Sequence, residues 1–128
     1  MWKIYKNNAS DLNFAISCLY NQAVNLDEFK QWVELVINDL ESDEIPLFMF
    51  DLLFFNDSLF KIYDVIGFEF NNDLSKEEDY ALYYIAYERF KVLYDPCVSK
   101  DDAIIALNKH PYILDKYKKM FPFIKLDF

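Results

Sequence analysis

Glycine is nearly absent from this sequence. Gly67 is the only glycine among 128 residues. Tight primed turns and strained loops favour glycine, because it adopts a positive φ without steric cost. Hairpin-rich all-β folds are therefore disfavoured, and no glycine-rich loop can bring backbone amides onto a phosphate. Helices joined by short polar connections are the expected architecture.

Histidine and cysteine, which commonly serve in catalytic and metal sites, are also scarce. There is one histidine, His110, and neither Cys18 nor Cys97 has a histidine near it in sequence. No His-x-x-His, Cys-x-x-Cys or Glu-x-x-His spacing occurs, which argues against zinc and carboxylate-histidine metal centres. A lone histidine beside Pro111 is more typical of a local polar contact than of a general base. We expect no enzyme activity, no cofactor, no metal, and two reduced, buried thiols.

Long apolar runs are missing as well. The most apolar stretch, 45–55, is eleven residues long and contains Pro46 and Asp51. A membrane span needs about 20 apolar residues. The first residues lack the apolar segment of a secretory signal peptide. These features predict a cytoplasmic protein that has no membrane partner.

The chain is nevertheless rich in apolar and aromatic residues. Hydrophobic residues make up 54% of it and aromatic residues 20%. That composition supports a core without disulfides or metals, and the length fits one domain. We expect residues 1–128 to form a single all-α domain, a compact bundle of six to seven helices with a long central aromatic helix.

Capping signals predict where helices begin. Three polar side chains are each followed three residues later by an acid that can reach back, the last pair being weaker because aspartate is short: Asn25 with Glu28, Ser75 with Glu78, and Ser99 with Asp102. Apolar periodicity then predicts helices over about 10–22, 26–40, 45–55, 59–66, 76–94, 101–108 and from 112 onward. Gly67 is expected to end the fourth. The run 45–55 is apolar nearly all round and predicts a buried helix, whereas 68–70 could be extended and 71–73 a loop.

The expected long helix over 76–94 is unusual because both of its faces are apolar. One face is aromatic: Tyr80, Tyr83, Tyr84, Tyr87, Phe90 and Tyr94. The other is aliphatic and has Arg89 in its midst. Such a helix is usually sandwiched in a core, and a tyrosine can bury its ring while its hydroxyl stays at the edge. The alternative is that the tyrosine face remains open for a partner.

Negative charge is concentrated in the middle of the chain. The net charge is -9, and residues 39–79 hold twelve acids against two bases, or −10, while the remainder holds eleven bases and ten acids. Such a field repels nucleic acid and anionic membrane and attracts basic partners. The alternative is a solubilising surface. The predicted partner-binding residues are Glu41, Asp43, Glu44, Asp73, Glu77, Glu78 and Asp79, together with Tyr80, Tyr83, Tyr84 and Tyr87.

The chain is short, has capped helices, is rich in Asn, Lys, Ile, Phe and Tyr, and has its acids gathered in 39–79. In these overall features it resembles a known class of proteins. That class is the small acidic immunity proteins that guard bacteria against their own nuclease toxins, including contact-dependent growth-inhibition systems and colicins. The likeness spans the whole length, although no motif is shared residue by residue. It implies a cytoplasmic protein that binds a basic cognate nuclease toxin tightly, covers its active site and has no activity of its own.

Three other functions compete with this one. A nucleic-acid mimic is disfavoured by the modest charge and by the basic residues between 109 and 125. A structural or chaperone-type subunit would oligomerise through the tyrosine-rich helix, whereas the leading hypothesis implies a monomer. A small enzyme would use carboxylates and tyrosine alone, with two acids converging on a tyrosine in a concave pocket.

Overall fold

Helices account for the regular structure of this protein. A computed structural model describes residues 2–68 and 73–128, and within them there are seven α-helices, two short 3-10 turns and a single β-bridge, Tyr5 with Asn8. The all-α prediction is therefore confirmed. In chain order the helices are α1 Ser10–Tyr20, α2 Leu26–Asp39, α3 Leu47–Leu53, α4 Ile62–Ile66, α5 Lys76–Arg89, α6 Lys100–Lys109 and α7 Tyr112–Met120, and the 3-10 turns are Ser42–Glu44 and Leu59–Lys61.

All three predicted N-caps are confirmed, and two of them form the full capping box. At the start of α2, the Asn25 side chain accepts from the Glu28 amide at 2.8 Å, and Glu28 Oε1 accepts from the Asn25 amide at 2.9 Å. Ser75 and Glu78 form the same reciprocal pair at the start of α5. These bonds satisfy backbone donors that a helix start otherwise leaves without partners.

Ser99 caps α6 more simply. Its hydroxyl accepts from the Asp102 amide at 3.2 Å, and the capping box is not completed by the shorter Asp102 side chain. The difference follows from side-chain length, as the sequence indicates.

Helix α1 is enclosed by the rest of the fold. Every residue from 12 to 19 is buried. Helix α2 contributes Phe29, Trp32, Val33 and Val36 to the same core, which agrees with its predicted apolar stripe. Burial of each large apolar side chain contributes roughly 1.5–3 kcal/mol, so this core is the main source of stability.

Arg89 connects three helices through a polar network. Its guanidinium forms a two-pronged ion pair with Glu28 of α2, and Nη1 also donates to the Ala23 carbonyl at 2.6 Å and to the Tyr117 hydroxyl at 3.1 Å. Tyr117, on α7, donates to the same Ala23 carbonyl at 2.8 Å. Arg89, which the sequence places among aliphatic neighbours, therefore has partners for both terminal nitrogens of its guanidinium.

Helix α5 ends at Arg89, so the prediction that it continues to Tyr94 is wrong. Phe90 has an extended backbone, and Tyr94 forms two hydrogen bonds with the Gln22 side chain: its amide donates at 2.7 Å and its carbonyl accepts at 2.6 Å. These bonds replace helical ones. Pro96 also disfavours a helical conformation at Asp95, whose φ is 42°. The first helix likewise ends earlier than expected, at Tyr20.

Helix α4 ends as the sequence predicts. Gly67 has a φ of 83° and donates its amide to the Tyr63 carbonyl at 2.9 Å, which is the left-handed cap that glycine adopts most easily. The predicted extended piece at 68–70 and the predicted loop at 71–73 lie largely outside the described residues.

Helix α3 is not the buried helix that its composition predicts. Met49 and Leu52 are buried, but Leu47, Phe50 and Phe54 are exposed. Neighbouring helices α2 and α4 cover only one side of this short helix. Apolar residues on its other side therefore remain in water.

Candidate functional site

Eleven of the twelve acids of 39–79 lie in the described residues, and they form two groups that differ in their contacts. One group is attached to the start of α5 and comprises Asp73, Glu77, Glu78 and Asp79. The other lies along the turn after α2, helix α3 and helix α4, and comprises Asp39, Glu41, Asp43, Glu44, Asp51, Asp57 and Asp64. We call this second set the 39–64 acids.

The acids at the start of α5 are engaged by their own chain. Glu77 Oε2 lies 3.1 Å from His110 Nε2, and Glu78 Oε2 accepts from the Tyr112 hydroxyl at 2.6 Å. Asp79 accepts from the Asn21 side chain at 2.9 Å. These predicted contact residues therefore help to hold α5 against α1 and the α6–α7 junction.

The pKa values of two of these acids reflect the same contacts. The hydrogen bond from His110 lowers the pKa of Glu77. Burial raises the pKa of Glu78, but bonds from the Ser75 amide and the Tyr112 hydroxyl outweigh it, so the net shift is downward. Both carboxylates are stabilised in their charged forms by partners within the protein.

His110 and Tyr112 complete this polar cluster. His110 Nδ1 lies 3.0 Å from the Tyr112 hydroxyl, whose only hydrogen is donated to Glu78. The side chain of Glu77 is 56% exposed and Tyr112 51%, so the cluster is open to water rather than set in a water-excluding pocket.

Within the described part of the chain, Asp73 makes one long side-chain contact. Its Oδ2 lies 3.5 Å from the amide nitrogen of Asn13, a buried polar residue of α1. Asp73 itself is exposed. It therefore sits at the edge of the core and is less firmly held than its neighbours on α5.

The 39–64 acids are mostly exposed and form few ion pairs. Among the described residues, the one ion pair that they form is Asp57 with Lys61, at 3.4 Å and across one helical turn. Asp39 accepts from Trp2 Nε1 at 2.9 Å, and Glu44 Oε1 accepts from the Glu41 amide at 3.1 Å. These neutral donors leave the negative charge in place. Six of these seven acids therefore have no ion-pair partner among the described residues, although Asp39 lines the same pocket as Lys116 and Lys119.

An apolar ridge runs along α3 within this acidic segment. Leu47 is 82% exposed, Phe54 81% and Phe50 41%. Their spacing of three and then four residues places Leu47 and Phe50 on one face of the helix, with Phe54, the first residue after it, in line with them. Asp51 falls on the same face. We call Leu47, Phe50 and Phe54 the α3 ridge. Sequence reasoning missed it because α3 is apolar all round, although Asp51 could have marked the open face.

The tyrosine face of α5 is largely covered. Tyr83 is 6% exposed and packs with Val98 and Ala103, and Tyr87 donates to the Val98 carbonyl at 2.7 Å. Tyr80 and Tyr84 are half-buried around the same small cluster. The residues 90–99 and helix α6 occupy the side that the alternative hypothesis left open for a partner.

The two cysteines lie in different environments. Cys18 is buried, and burial raises the pKa of its thiol well above the ordinary value. Cys97 is exposed, so the expectation that both thiols are buried is wrong for this one. The prolyl turn after α5 brings Cys97 to the surface. Neither cysteine forms a disulfide.

The described residues contain no group of three or more histidine, cysteine, aspartate or glutamate side chains arranged to hold a metal ion. Their helices also lack the combination of length and apolar character that crossing a bilayer requires.

Comparison with protein-family models, with curated proteins and with solved structures found no match to this chain.

Proposed function

We propose that this protein is a non-catalytic binding protein that docks on a basic protein partner and neutralises it. The observation that carries the proposal is the set of mostly exposed 39–64 acids, whose one ion pair among the described residues is Asp57 with Lys61. Concentrated charge of one sign raises the rate of encounter with a partner of the opposite sign. Carboxylates also pair with arginine through two parallel hydrogen bonds.

The specific form that we propose is an immunity protein that blocks a nuclease toxin in the bacterial cytoplasm. A nuclease presents a basic surface because it binds the phosphate backbone. An acidic protein can occupy that surface and exclude the substrate without any chemistry of its own. The resemblance in overall character to small acidic immunity proteins supports the same function.

The test begins with affinity capture of the partner from the source cell at low salt, followed by association kinetics with the purified partner. Raising salt from about 0.01 M to about 0.15 M shortens the Debye length from ~30 Å to ~8 Å, so association should slow markedly. An acidic partner, or an association rate that does not change with ionic strength, would contradict the proposal. Inhibition of the partner's nuclease activity tests the specific form.

Charge neutralisation locates the effect on the surface. Asp43→Asn, Asp51→Asn and Asp64→Asn together should slow association by about tenfold and leave the melting temperature unchanged, because all three side chains are exposed. A matched control removes three exposed acids elsewhere: Glu34→Gln, Asp115→Asn and Asp127→Asn. Equal slowing by both triple variants would mean that net charge alone, and not the 39–64 acids, attracts the partner.

A further inference from the structure

The α3 ridge is an apolar surface that the protein does not cover itself. Leu47 and Phe54 are among its most exposed large apolar side chains, and Phe50 lies between them on the same face. Single exposed apolar residues are common, whereas a continuous row on one helix face marks an interaction surface. Covering each phenylalanine would remove on the order of 100 Å² or more of apolar surface from water.

Acids surround this row along the chain. Asp43 precedes the α3 ridge, Asp51 lies within its face, and Asp57 follows it. Lys61 is the nearby base, and it is paired with Asp57. Whatever covers the ridge must therefore present apolar side chains in the centre and positive charge at the edges.

That charge pattern disfavours two other occupants. A second copy of this chain would bring its own Asp43, Asp51 and Asp57 against the same acids, and like charges brought together oppose association. An anionic lipid surface meets the same repulsion. A cationic, amphipathic protein segment fits both features.

We infer that the α3 ridge is the docking surface for a basic amphipathic segment of the protein partner, whose apolar side chains cover Leu47, Phe50 and Phe54 while its lysines and arginines face Asp43, Asp51 and Asp57. The inference rests on the proposed function and adds the contact surface and the chemistry of the contacting segment. Helices with one apolar face and basic flanks bind exposed apolar surfaces in this way. The acids would set the association rate and the ridge the dissociation rate.

The probes are two synthetic 18-residue peptides of the same leucine, lysine and arginine composition. One places leucine on a single helical face, and the other is scrambled so that no face forms. Binding is measured by fluorescence anisotropy to the wild-type protein and to the Phe50→Ser/Phe54→Ser variant. A control variant, Ile105→Ser/Val92→Ser, removes two exposed apolar side chains outside α3.

The amphipathic peptide should bind wild-type protein and the control variant about equally, and the double phenylalanine variant about tenfold or more weakly. The scrambled peptide should bind more weakly than the amphipathic one and show no difference between the proteins. Phe54→Ser alone, at a position 81% exposed, repeats the test with little risk to folding.

Three results would overturn the inference. Equal binding of both peptides, unaffected by the phenylalanine changes, would leave the acidic binding function intact but remove the ridge from it. A concentration-dependent dimer in sedimentation, lost in Phe54→Ser, would assign the ridge to a second copy. If neither peptide binds, a basic amphipathic segment is not what covers the α3 ridge. The capture experiment then tests the proposed function separately.

Discussion

The Arg89 network provides the sharpest test of how this fold is held together. Arg89→Leu removes the guanidinium while keeping a side chain that fits an apolar surrounding. It deletes both prongs of the ion pair with Glu28 and the bonds to the Ala23 carbonyl and the Tyr117 hydroxyl. Tyr117 keeps its own bond to Ala23. The Glu28 carboxylate keeps one donor, the Asn25 amide.

The size of the effect follows from burial. The side chains of Arg89 and Glu28 are each 15% exposed, so removal of one leaves the other charge poorly solvated. Breaking such a pair costs about 3–5 kcal/mol, and the remaining bond from Asn25 to Glu28 favours the lower end. We expect a loss of about 3 kcal/mol from a total stability of roughly 5–15 kcal/mol. The melting temperature should fall by about 10 °C.

The assay is urea unfolding of four proteins: wild type, Arg89→Leu, Glu28→Leu and the double variant. Because the second substitution removes a group that the first has already left unpaired, the double variant should lose much less than the sum of the single losses. Glu28→Leu also removes half of a capping box, worth about 1 kcal/mol. The coupling energy corrects for that loss, since it is common to both backgrounds.

A matched control separates burial from charge. Lys100 pairs with Glu88 at 3.4 Å, but their side chains are 54% and 32% exposed. Lys100→Leu should therefore change stability by less than about 1 kcal/mol. If Arg89→Leu costs no more than this control, or if the two single losses simply add, the network does not fasten α2, α5 and α7 as argued.

Three smaller predictions follow from the helix ends. Gly67→Ala should destabilise by about 1 kcal/mol in thermal unfolding, because φ is 83° although an added Cβ would meet nothing within 4 Å; an unchanged melting temperature would mean that the backbone relaxes. Ser75→Ala should cost about 1 kcal/mol in urea unfolding, and Ser75→Asn, which restores an acceptor, should recover most of it. Glu78→Gln should destabilise the protein at pH 6 but not at pH 3. Because the pKa of Glu78 is lowered in the folded state, its charged form stabilises the fold above the unfolded pKa near about 4.3, and this stabilisation disappears as pH falls through the folded pKa. A difference in unfolding free energy between wild type and Glu78→Gln that stays constant from pH 6 to pH 3 would contradict the assignment.

Local signals in this sequence predict the fold well where the local chemistry decides the structure. The three capping pairs and Gly67 form helix ends at the expected residues, because the bonds involved join residues only a few positions apart. The apolar stripe of α2 faces the core for a similar reason, since helical periodicity alone separates its two sides. Such features need no knowledge of the remaining chain.

Predictions fail where a distant residue decides. The aromatic spacing continues past Arg89 and predicts a helix up to Tyr94. Gln22, 72 positions away in sequence, instead forms hydrogen bonds with the backbone amide and carbonyl of Tyr94. Glu77 and Glu78 look like free acids at a helix start, yet His110 and Tyr112 reach them from the α6–α7 junction. No local pattern contains these pairings, which depend on how the helices pack.

The candidate site shows a third kind of failure, which concerns composition. Periodicity cannot assign a buried side to a helix that is apolar all round, so 45–55 predicts a core helix. In the fold α3 is covered on one side only, and the side that remains open carries Leu47, Phe50 and Phe54 beside Asp51. A residue pattern that suits burial but remains in water is a local inconsistency, and such inconsistencies are retained at sites that serve binding rather than folding. The 39–64 acids lie before, within and after the same helix in sequence. A cationic amphipathic surface would satisfy both features at once, whereas solubility alone would account for the acids and leave the phenylalanines without a physical reason to be there.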